Sequence, residues 1–271
     1  MDGPSYPRAT WRLLTEPQPR DGARNLAEDE AILRAVAGGR APPTLRLYTF
    51  LPAVTLGRGQ SIDEADRGMM ALYGYRLLRR SSGGTAVFHS GEIAYSVVLP
   101  DDDPRIAGGV VASYRTLSQP LVYALEQVGL GAVQATSHPE NRRVKSPVCF
   151  EISSDYEITV DGRKLVGSSQ MRIKGGVLQH GAIPLSGDIG HIGELLVSRP
   201  DPERIRARAT TLNEVLERPV DWEEIAEALV AGFGRLLNVE LQAGTLLPEE
   251  RAEMEQLVAA KYTDERWTAR I

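Results

Sequence analysis

Cys149, the only cysteine in the chain, and Lys164, fifteen positions further on, are the residue pair best suited to covalent chemistry. A free thiol has a pKa of about 8.5 and is mostly protonated at neutral pH; the thiolate is the nucleophile. A nearby ammonium stabilises that thiolate by Coulomb attraction. The residues around Lys164 predict a rigid mount for it. Tyr156 to Val160 alternates as a strand, with β-branched Ile158, Thr159 and Val160. Asp161-Gly162 suits a two-residue type I′ turn, whose central positions both need positive φ. Arg163 to Ser168 then returns antiparallel. Lys174-Gly175-Gly176 marks a second turn and Val177 to Ile183 a third strand. Lys164 is thus expected on a sheet, just past a tight turn and near Cys149.

A second candidate is the run Arg79-Arg80-Ser81-Ser82-Gly83-Gly84-Thr85-Ala86-Val87-Phe88-His89. Glycines between strands let backbone approach a ligand and aim N–H groups at it, and arginines beside them suit a carboxylate or phosphate. A hairpin loop with solvated arginines reads equally well from spacing alone. His89 and His180 are able to orient groups or act as bases, although a strand histidine is more often structural. The four histidines and one cysteine show no metal-ligand spacing. A lone cysteine is ordinarily a small buried hydrophobe, so Cys149 needs support from its context.

Composition narrows the classes. The chain has 271 residues, is 42% hydrophobic and carries a net charge of −5, which fits one sizeable core and argues against a general nucleic-acid binder. One cysteine permits no internal disulfide, in keeping with a reducing compartment. No apolar run approaches the ~20 residues that span a bilayer. Residues 1–20 lack an apolar centre, so no signal peptide is expected. The expectation is a cytoplasmic protein with no membrane partner.

The elements follow from periodicity. A short strand is expected at Thr10–Leu14, a helix over 24–37 stopped by Gly38-Gly39, and a strand at Leu45–Phe50. Ser61-Ile62-Asp63-Glu64 matches a capping box, predicting one helix from Ile62 to Leu72. Strands are expected at Tyr75–Arg80, Ala86–His89 and Ile93–Leu99. A helix over Val110–Val128 is expected to kink or restart at Pro120. A strand at Ala132–Thr136 precedes a basic loop leading to Cys149. Short helices are expected at Pro202–Arg208 and Asn213–Leu216. Asp221-Trp222-Glu223-Glu224 predicts the N-terminus of a helix bearing Ile225, Leu229, Phe233, Leu236 and Leu237. A strand at Val239–Leu241 and a helix at Glu249–Lys261 complete the chain. The sum is an α+β fold, a mixed and largely antiparallel sheet flanked by helices, with a helical C-terminal part.

Several motifs, in order, resemble the superfamily of lipoate–protein ligase A, octanoyltransferases and biotin ligases. Arg79–His89 is similar to its RRxSGG-x-AVxH segment. The likeness continues in Asn25-Leu26-Ala27-Glu28-Asp29-Glu30-Ala31, Leu56-Gly57-Arg58-Gly59-Gln60, Lys164-Leu165-Val166-Gly167-Ser168-Ser169-Gln170 and Leu178-Gln179-His180-Gly181, and ends near Lys261-Tyr262 and Trp267. Ser90 departs from it, standing where many members have an acidic residue. Val148-Cys149-Phe150-Glu151, followed by the Lys164 hairpin, is similar to the LipM-type octanoyltransferases, which carry a nucleophilic cysteine; ATP-dependent ligases need none.

The resemblance implies a biotin/lipoate ligase-like catalytic domain over 24–247, with a C-terminal helical extension over 248–271. It makes Cys149 the nucleophile and Lys164 the residue that lowers its pKa. It places Arg79, Ser82, Gly83, Gly84, His89, Gly167, Ser168 and His180 at the substrate. Val87, Tyr95, Val97 and Leu178 are candidates for an acyl tunnel. The implied reaction moves an octanoyl group from the phosphopantetheine of acyl carrier protein, through a cysteine thioester, to a lipoyl-domain lysine such as that of the glycine cleavage H protein. It needs no further cofactor and no metal. Backbone amides of Ser82–Thr85 or of residues 167–169 are alternative oxyanion donors. Arg142, Arg143 and Lys145 before Cys149, and Arg163, Arg172 and Lys174 after it, form the expected docking surface for acidic carrier and lipoyl domains. Rival readings are an ATP-dependent lipoate–protein ligase, an amidotransferase between lipoyl domains, and a non-catalytic acyl-carrier-binding protein. About two dozen residues before the first helix are too few for a winged-helix DNA-binding module.

Overall fold

A computed structural model describes residues 6–131, 133–136 and 157–271. Cys149, Tyr156 and the basic residues Arg142, Arg143 and Lys145 lie outside the described residues.

The chain opens with β1 (Ala9–Arg20), longer than the predicted strand. Pro17 and Pro19 supply no N–H to a ladder, and the pairing of β1 shifts register between Glu16 and Arg20, where they sit. Helix α1 (Gly22–Ala37) follows, started by the Asp21 carboxylate, which accepts from the Ala23 amide. Next come β2 (Thr44–Phe50) and β3 (Ala53–Leu56).

The single helix predicted from Ile62 is a short 3-10 turn at Ile62–Glu64 and then a separate α2 (Arg67–Tyr73). Tertiary pairing breaks it. Ala65 is extended and bridges Leu196, and the Asp66 amide donates to the Leu195 carbonyl. Ser61 caps only the 3-10 turn, while Asp66 caps α2.

β4 (Arg76–Arg79), β5 (Val87–His89) and β6 (Glu92–Pro100) precede α3 (Gly109–Gln127). Helix α3 runs through Pro120 as one element. A Cβ on Gly232 would lie 2.5 Å from the Pro120 carbonyl oxygen, so that glycine permits the close crossing of the two chain segments. Then follow β7 (Val133–Thr136), β8 (Glu157–Val160), β9 (Arg163–Ile173) and β10 (Gly176–Pro184). A 3-10 stretch at Ile189–Leu195 leads to α4 (Pro202–Arg206), α5 (Leu212–Leu216) and α6 (Trp222–Leu237). Asp221 stands at the N-cap of α6 but its side chain makes no capping bond. β11 (Val239–Ala243), α7 (Pro248–Leu257), a π turn at Val258–Tyr262 and α8 (Glu265–Thr268) end the chain.

Among the described residues, eight strands form one sheet in the order β11-β1-β2-β6-β10-β9-β8-β7. The contacts of β1 with β11 and β2 are parallel, and those from β2 through β6, β10, β9 and β8 to β7 are antiparallel. β4, β3 and β5 form a smaller sheet. Alternation along β6 separates the two faces of the large sheet. Ile93, Tyr95, Val97 and Leu99 enter a core with Leu117 and Leu121 of α3 and Leu229 and Phe233 of α6. Ala94 and Val98 face the α1 side, with Leu26, Ile32 and Leu33. Among the described residues no helix is long and apolar enough to cross a membrane.

Helix α1 is buried almost all round, including Asn25, Glu28, Asp29 and Glu30. Charges in such a place need partners. Arg46 of β2, itself fully buried, lies 2.9 Å from Asp29 and 2.7 Å from Glu16. On the other side of α1, Glu30 meets Lys261 and Tyr262 of the C-terminal segment.

Candidate functional site

β8 and β9 form the hairpin predicted around Lys164. Asp161 (φ 50°) and Gly162 (φ 75°) both occupy the left-handed region, as a type I′ turn demands. Beyond the turn the register slips: Thr159 pairs with Lys164 but Ile158 pairs with Val166, leaving Leu165 as an extra residue. A bulge of this kind bends the strand and re-aims its side chains. Lys164 is also pinned through its backbone, its amide donating to Arg208 O and its carbonyl accepting from Thr210 N. Its Nζ donates to Glu157, the first residue of β8, and both side chains are buried.

Glu157 borders a cavity of about 550 Å³. Gly83, Gly84 and Thr85 form one part of its lining, and Gly167, Ser168 and Ser169 of β9 another. Val110, Val111 and Tyr114 of α3 also line it; Val110 and Val111 are exposed. The glycine loop is held from behind. Gly84 has φ +91°, and a Cβ on Gly57 would come within 1.8 Å of the Gly84 carbonyl oxygen. The Leu56–Gln60 and Arg79–His89 motifs therefore touch backbone to backbone.

The two arginines of the loop have different tasks. Arg80 borders the cavity and donates to the carbonyls of Thr55, Gly83 and Thr85, clamping the loop. Arg79, expected at the substrate, is fully buried and is not among the cavity-lining residues. Its guanidinium donates to the carbonyls of Gly57, Gln60 and Thr268, tying the neighbouring loop to the C-terminal segment. Arg79 is the last residue of β4 and Arg80 the first beyond it, and their guanidinium groups go to different partners.

The polar lining continues inward as a chain of hydrogen bonds. Ser169 Oγ lies 2.8 Å from Ser82 Oγ, and Ser82 Oγ lies 2.6 Å from His180 Nε2. His180 Nδ1 is 3.1 Å from Asp29 Oδ2. The Asp29 carboxylate also accepts from Tyr48 Oη at 2.9 Å, Ser96 Oγ at 2.8 Å and Arg46 Nη1 at 2.9 Å. Burial pushes its pKa up, but the His180, Arg46 and Ser96 contacts outweigh burial and hold it below its ordinary value. Burial and the Asp29 charge push the Tyr48 hydroxyl well above its ordinary value, so it serves as a donor.

His89 borders the cavity too, stacked on Phe50 with ring centroids 4.0 Å apart. Its Nε2 lies 3.0 Å from Thr55 Oγ1 and its Nδ1 3.2 Å from Glu92 Oε1. Of the residues expected at the substrate, Gly83, Gly84, His89, Gly167, Ser168 and His180 line this one cavity. Ser82 stands behind the lining, bonded to Ser169 and His180. Lys164 reaches it through Glu157, and Cys149 lies outside the described residues.

Among the acyl-tunnel candidates, only Val87 is on the lining. Tyr95 is buried behind it, donating or accepting at Ser168 Oγ over 2.7 Å, and burial lifts its pKa to about 12. Val97 packs in the core under α3 and α6, and Leu178 packs with Ile32, Leu33 and Val36 of α1, so neither borders the cavity. Of the expected docking residues, Arg163 pairs with Glu214 and Arg172 donates to Ser113. Asp29, Arg46 and Glu157 were missed as site residues, and Arg80 was named only as part of the glycine-loop run. Asp29 and Arg80 stand inside the quoted motifs, and Glu157 within the predicted Tyr156–Val160 strand, which was the available signal.

Comparison with known proteins bears on this arrangement. Residues 21–234 match the lipoyl protein ligase A/B catalytic domain. An octanoyltransferase LipM from Symbiobacterium thermophilum is 39% identical, with 96% of this chain and 98% of that protein covered. One from Kyrpidia tusciae is 40% identical, with coverage of 96% and 99%. Among solved structures, a lipoate–protein ligase A bound with ATP superposes with a TM-score of 0.83 at 26% identity, covering 96% of this chain and 98% of that one. A lipoate protein ligase from Thermoplasma acidophilum, described as part of an archaeal lipoylation system with its E2 lipoyl domain, gives 0.81 at 26% identity, covering 97% and 98%.

Proposed function

The chain belongs to the lipoyl protein ligase A/B catalytic family, among the LipM octanoyltransferases, and from that premise we propose that it transfers octanoyl groups in lipoate biosynthesis through a thioester on Cys149. The observation that carries this reading is identity to octanoyltransferases along nearly the whole chain.

The Cys149 thiolate attacks the thioester of an octanoyl group on acyl carrier protein. One C–S bond forms and another breaks, so the exchange is nearly thermoneutral and needs no ATP. A lysine amine of a lipoyl domain, such as that of the glycine cleavage H protein, then attacks the acyl-enzyme. A C–N bond replaces the C–S bond, and the cysteine is released. This is covalent catalysis in two half-reactions with ping-pong kinetics. Lys164 favours the thiolate by charge. The glycine-loop amides or those of residues 167–169 stabilise the oxyanion, and the 550 Å³ cavity bordered by both runs supports that role. Arg142, Arg143 and Lys145 attract the acidic partner domains. Residues 248–271 act as an extension to the catalytic domain. No metal or further cofactor takes part, and the protein works in the cytoplasm.

The test is intact-mass measurement after mixing with octanoyl-carrier protein in the absence of ATP. One octanoyl group is gained by the wild-type chain and none by Cys149→Ala. Equal modification of a lipoyl domain by both proteins, from free octanoate and ATP, would point instead to a ligase.

A further inference from the structure

We propose that Ser169, Ser82, His180 and Asp29 form a proton relay, poised to conduct inward, that takes the proton from the acceptor amine during the second half-reaction. This rests on the acyl-enzyme reading and deepens it.

The direction follows from the hydrogen bonds. Asp29 is an acceptor toward four neighbours, His180 among them. The His180 Nδ1 therefore carries a hydrogen, and in its neutral form the ring presents a lone pair at Nε2. Ser82 Oγ, 2.6 Å away, donates to it. Ser82 has spent its hydrogen, so Ser169 must donate across the 2.8 Å Oγ–Oγ contact. Each donor points inward. Ser169 Oγ, on the cavity lining, is left with lone pairs for a donor arriving from the cavity.

The sheet builds this chain. Ser169 and His180 are register partners on β9 and β10. Alternation turns Ser168 to Tyr95 and Ser169 to Ser82. Asp29 enters from α1, held by Arg46 and Tyr48 of β2. Tyr48, Arg80, His89, Tyr114, Glu157 and Arg172 are the other charged or titratable groups around the cavity. The imidazole has a ring nitrogen free to take up a proton, and the buried Asp29 carboxylate 3.1 Å from its other nitrogen stabilises the imidazolium so formed.

As the amine nitrogen bonds to the acyl carbon, it acquires a surplus proton. That proton passes to Ser169 Oγ, the Ser169 proton to Ser82, and the Ser82 proton to His180 Nε2. The C–S bond breaks with its electron pair on sulfur. The imidazolium then returns its proton along the same path to the thiolate or to solvent. The first half-reaction has no such need, because a thiolate attacks and a thiolate leaves. The serines and histidine are thus assigned to discharge of the acyl-enzyme, not to its loading.

The experiment uses the full chain and separates the two steps. Wild type, Ser169→Ala, Ser82→Ala and His180→Asn are loaded with octanoyl-carrier protein, freed of donor and mixed with a lipoyl domain. Loading and acceptor-dependent discharge are followed by intact mass between about pH 6 and about pH 9.5, the upper end approaching the amine pKa of about 10.4. The variants are expected to lose discharge by a much larger factor than loading. Ser82→Ala and His180→Asn should discharge about 100-fold more slowly at neutral pH, the ordinary worth of a general base. Wild type and variants alike should speed up as the free amine becomes available, so the deficit is compared at each pH. Variants that discharge like wild type at every pH, or that lose loading and discharge equally, overturn the relay. Should His180→Asn fail to fold, the two serine variants decide, since each removes only one hydroxyl. A wild-type chain that never loads without ATP defeats the Cys149 reading itself, and the relay falls with it.

Discussion

Two neighbouring carboxylates on α1 are paired with two neighbouring serines in the glycine loop, and the two pairs end differently. Asp29 reaches Ser82 through His180, and that line continues to Ser169 on the cavity lining. Glu30 meets Ser81 directly at 2.9 Å, together with Lys261 Nζ and Tyr262 Oη, each at 2.6 Å. Arg34 binds its other oxygen at 2.6 Å. The first network contains an imidazole, which can both accept and donate a proton, and has an outlet. The second is a knot of donors around one carboxylate, closed by a C-terminal segment 231 positions away. Similar parts give a path for protons in one place and a tether in the other. The difference lies in the histidine and in which side of the loop each serine faces.

The largest expected effect on this comparison comes from cutting the tether. Glu30→Ala leaves Lys261 without its buried partner, and breaking such a pair costs about 3–5 kcal/mol. A chain of this size should lose about 2–4 °C in Tm per kcal/mol, measurable by calorimetry. The acyl-enzyme of the folded fraction should keep the wild-type pH profile for discharge. A change in that profile would mean the two networks are not separate.

The next effect is acid sensitivity. Burial pushes the Glu30 carboxyl up, but donors from Lys261, Tyr262 and Ser81 hold it below its ordinary value of 4.5. A carboxylate depressed in the folded state adds stability above its unfolded pKa and loses it as pH falls through the folded one. The Tm gap between wild type and Glu30→Gln should therefore be full above pH 4.5 and narrow below it. Asp29, also depressed, still contributes to the acid loss in that variant. A gap that stays constant from neutral pH into the acid range would remove this account.

Much of the frame was legible in the sequence because it is locally encoded. Asp161-Gly162 announced its turn, and Tyr156–Val160, Ile93–Leu99 and Val177–Ile183 announced strands. The glycine loop was marked by residue type and the Gly167-Ser168-Ser169 run by the family resemblance. What was not legible depends on distant partners. Glu28-Asp29-Glu30 reads as a solvated helix face, since charges are almost never buried unless paired; the pairing comes from Arg46 on a strand and from Lys261 near the other end of the chain. Arg79 and Arg80 are alike in spacing, and only the fold decides which one meets the cavity. The helix predicted from Ile62 was interrupted by pairing with Leu195 and Leu196, some 130 positions on. Val97 and Leu178 are apolar strand residues like Val87, and only the placement of the helices shows that they fill cores.

The finest test of the comparison is removal of a single hydroxyl from the tether. Tyr262 is buried, and burial together with the Glu30 charge pushes its hydroxyl well above the ordinary value, so it stays protonated and donates. Tyr262→Phe keeps the ring against Trp267, with centroids 6.4 Å apart, and removes only that donor. Glu30 retains Lys261, Ser81 and Arg34, so no charge is stranded. The cost should be that of one net hydrogen bond to a charged group, about 1.5–3 kcal/mol at most and nearer 1 kcal/mol with the other donors in place. Chemical denaturation should show a lower midpoint with an unchanged slope. Ser81 Oγ, 2.8 Å from the lost hydroxyl, would then lean wholly on Glu30 and Lys261, while Ser82 keeps its bond to His180. If Tyr262→Phe slowed acyl discharge as much as it lowered stability, the adjacent serines would be acting as one unit, and the division between tether and relay would have to be given up.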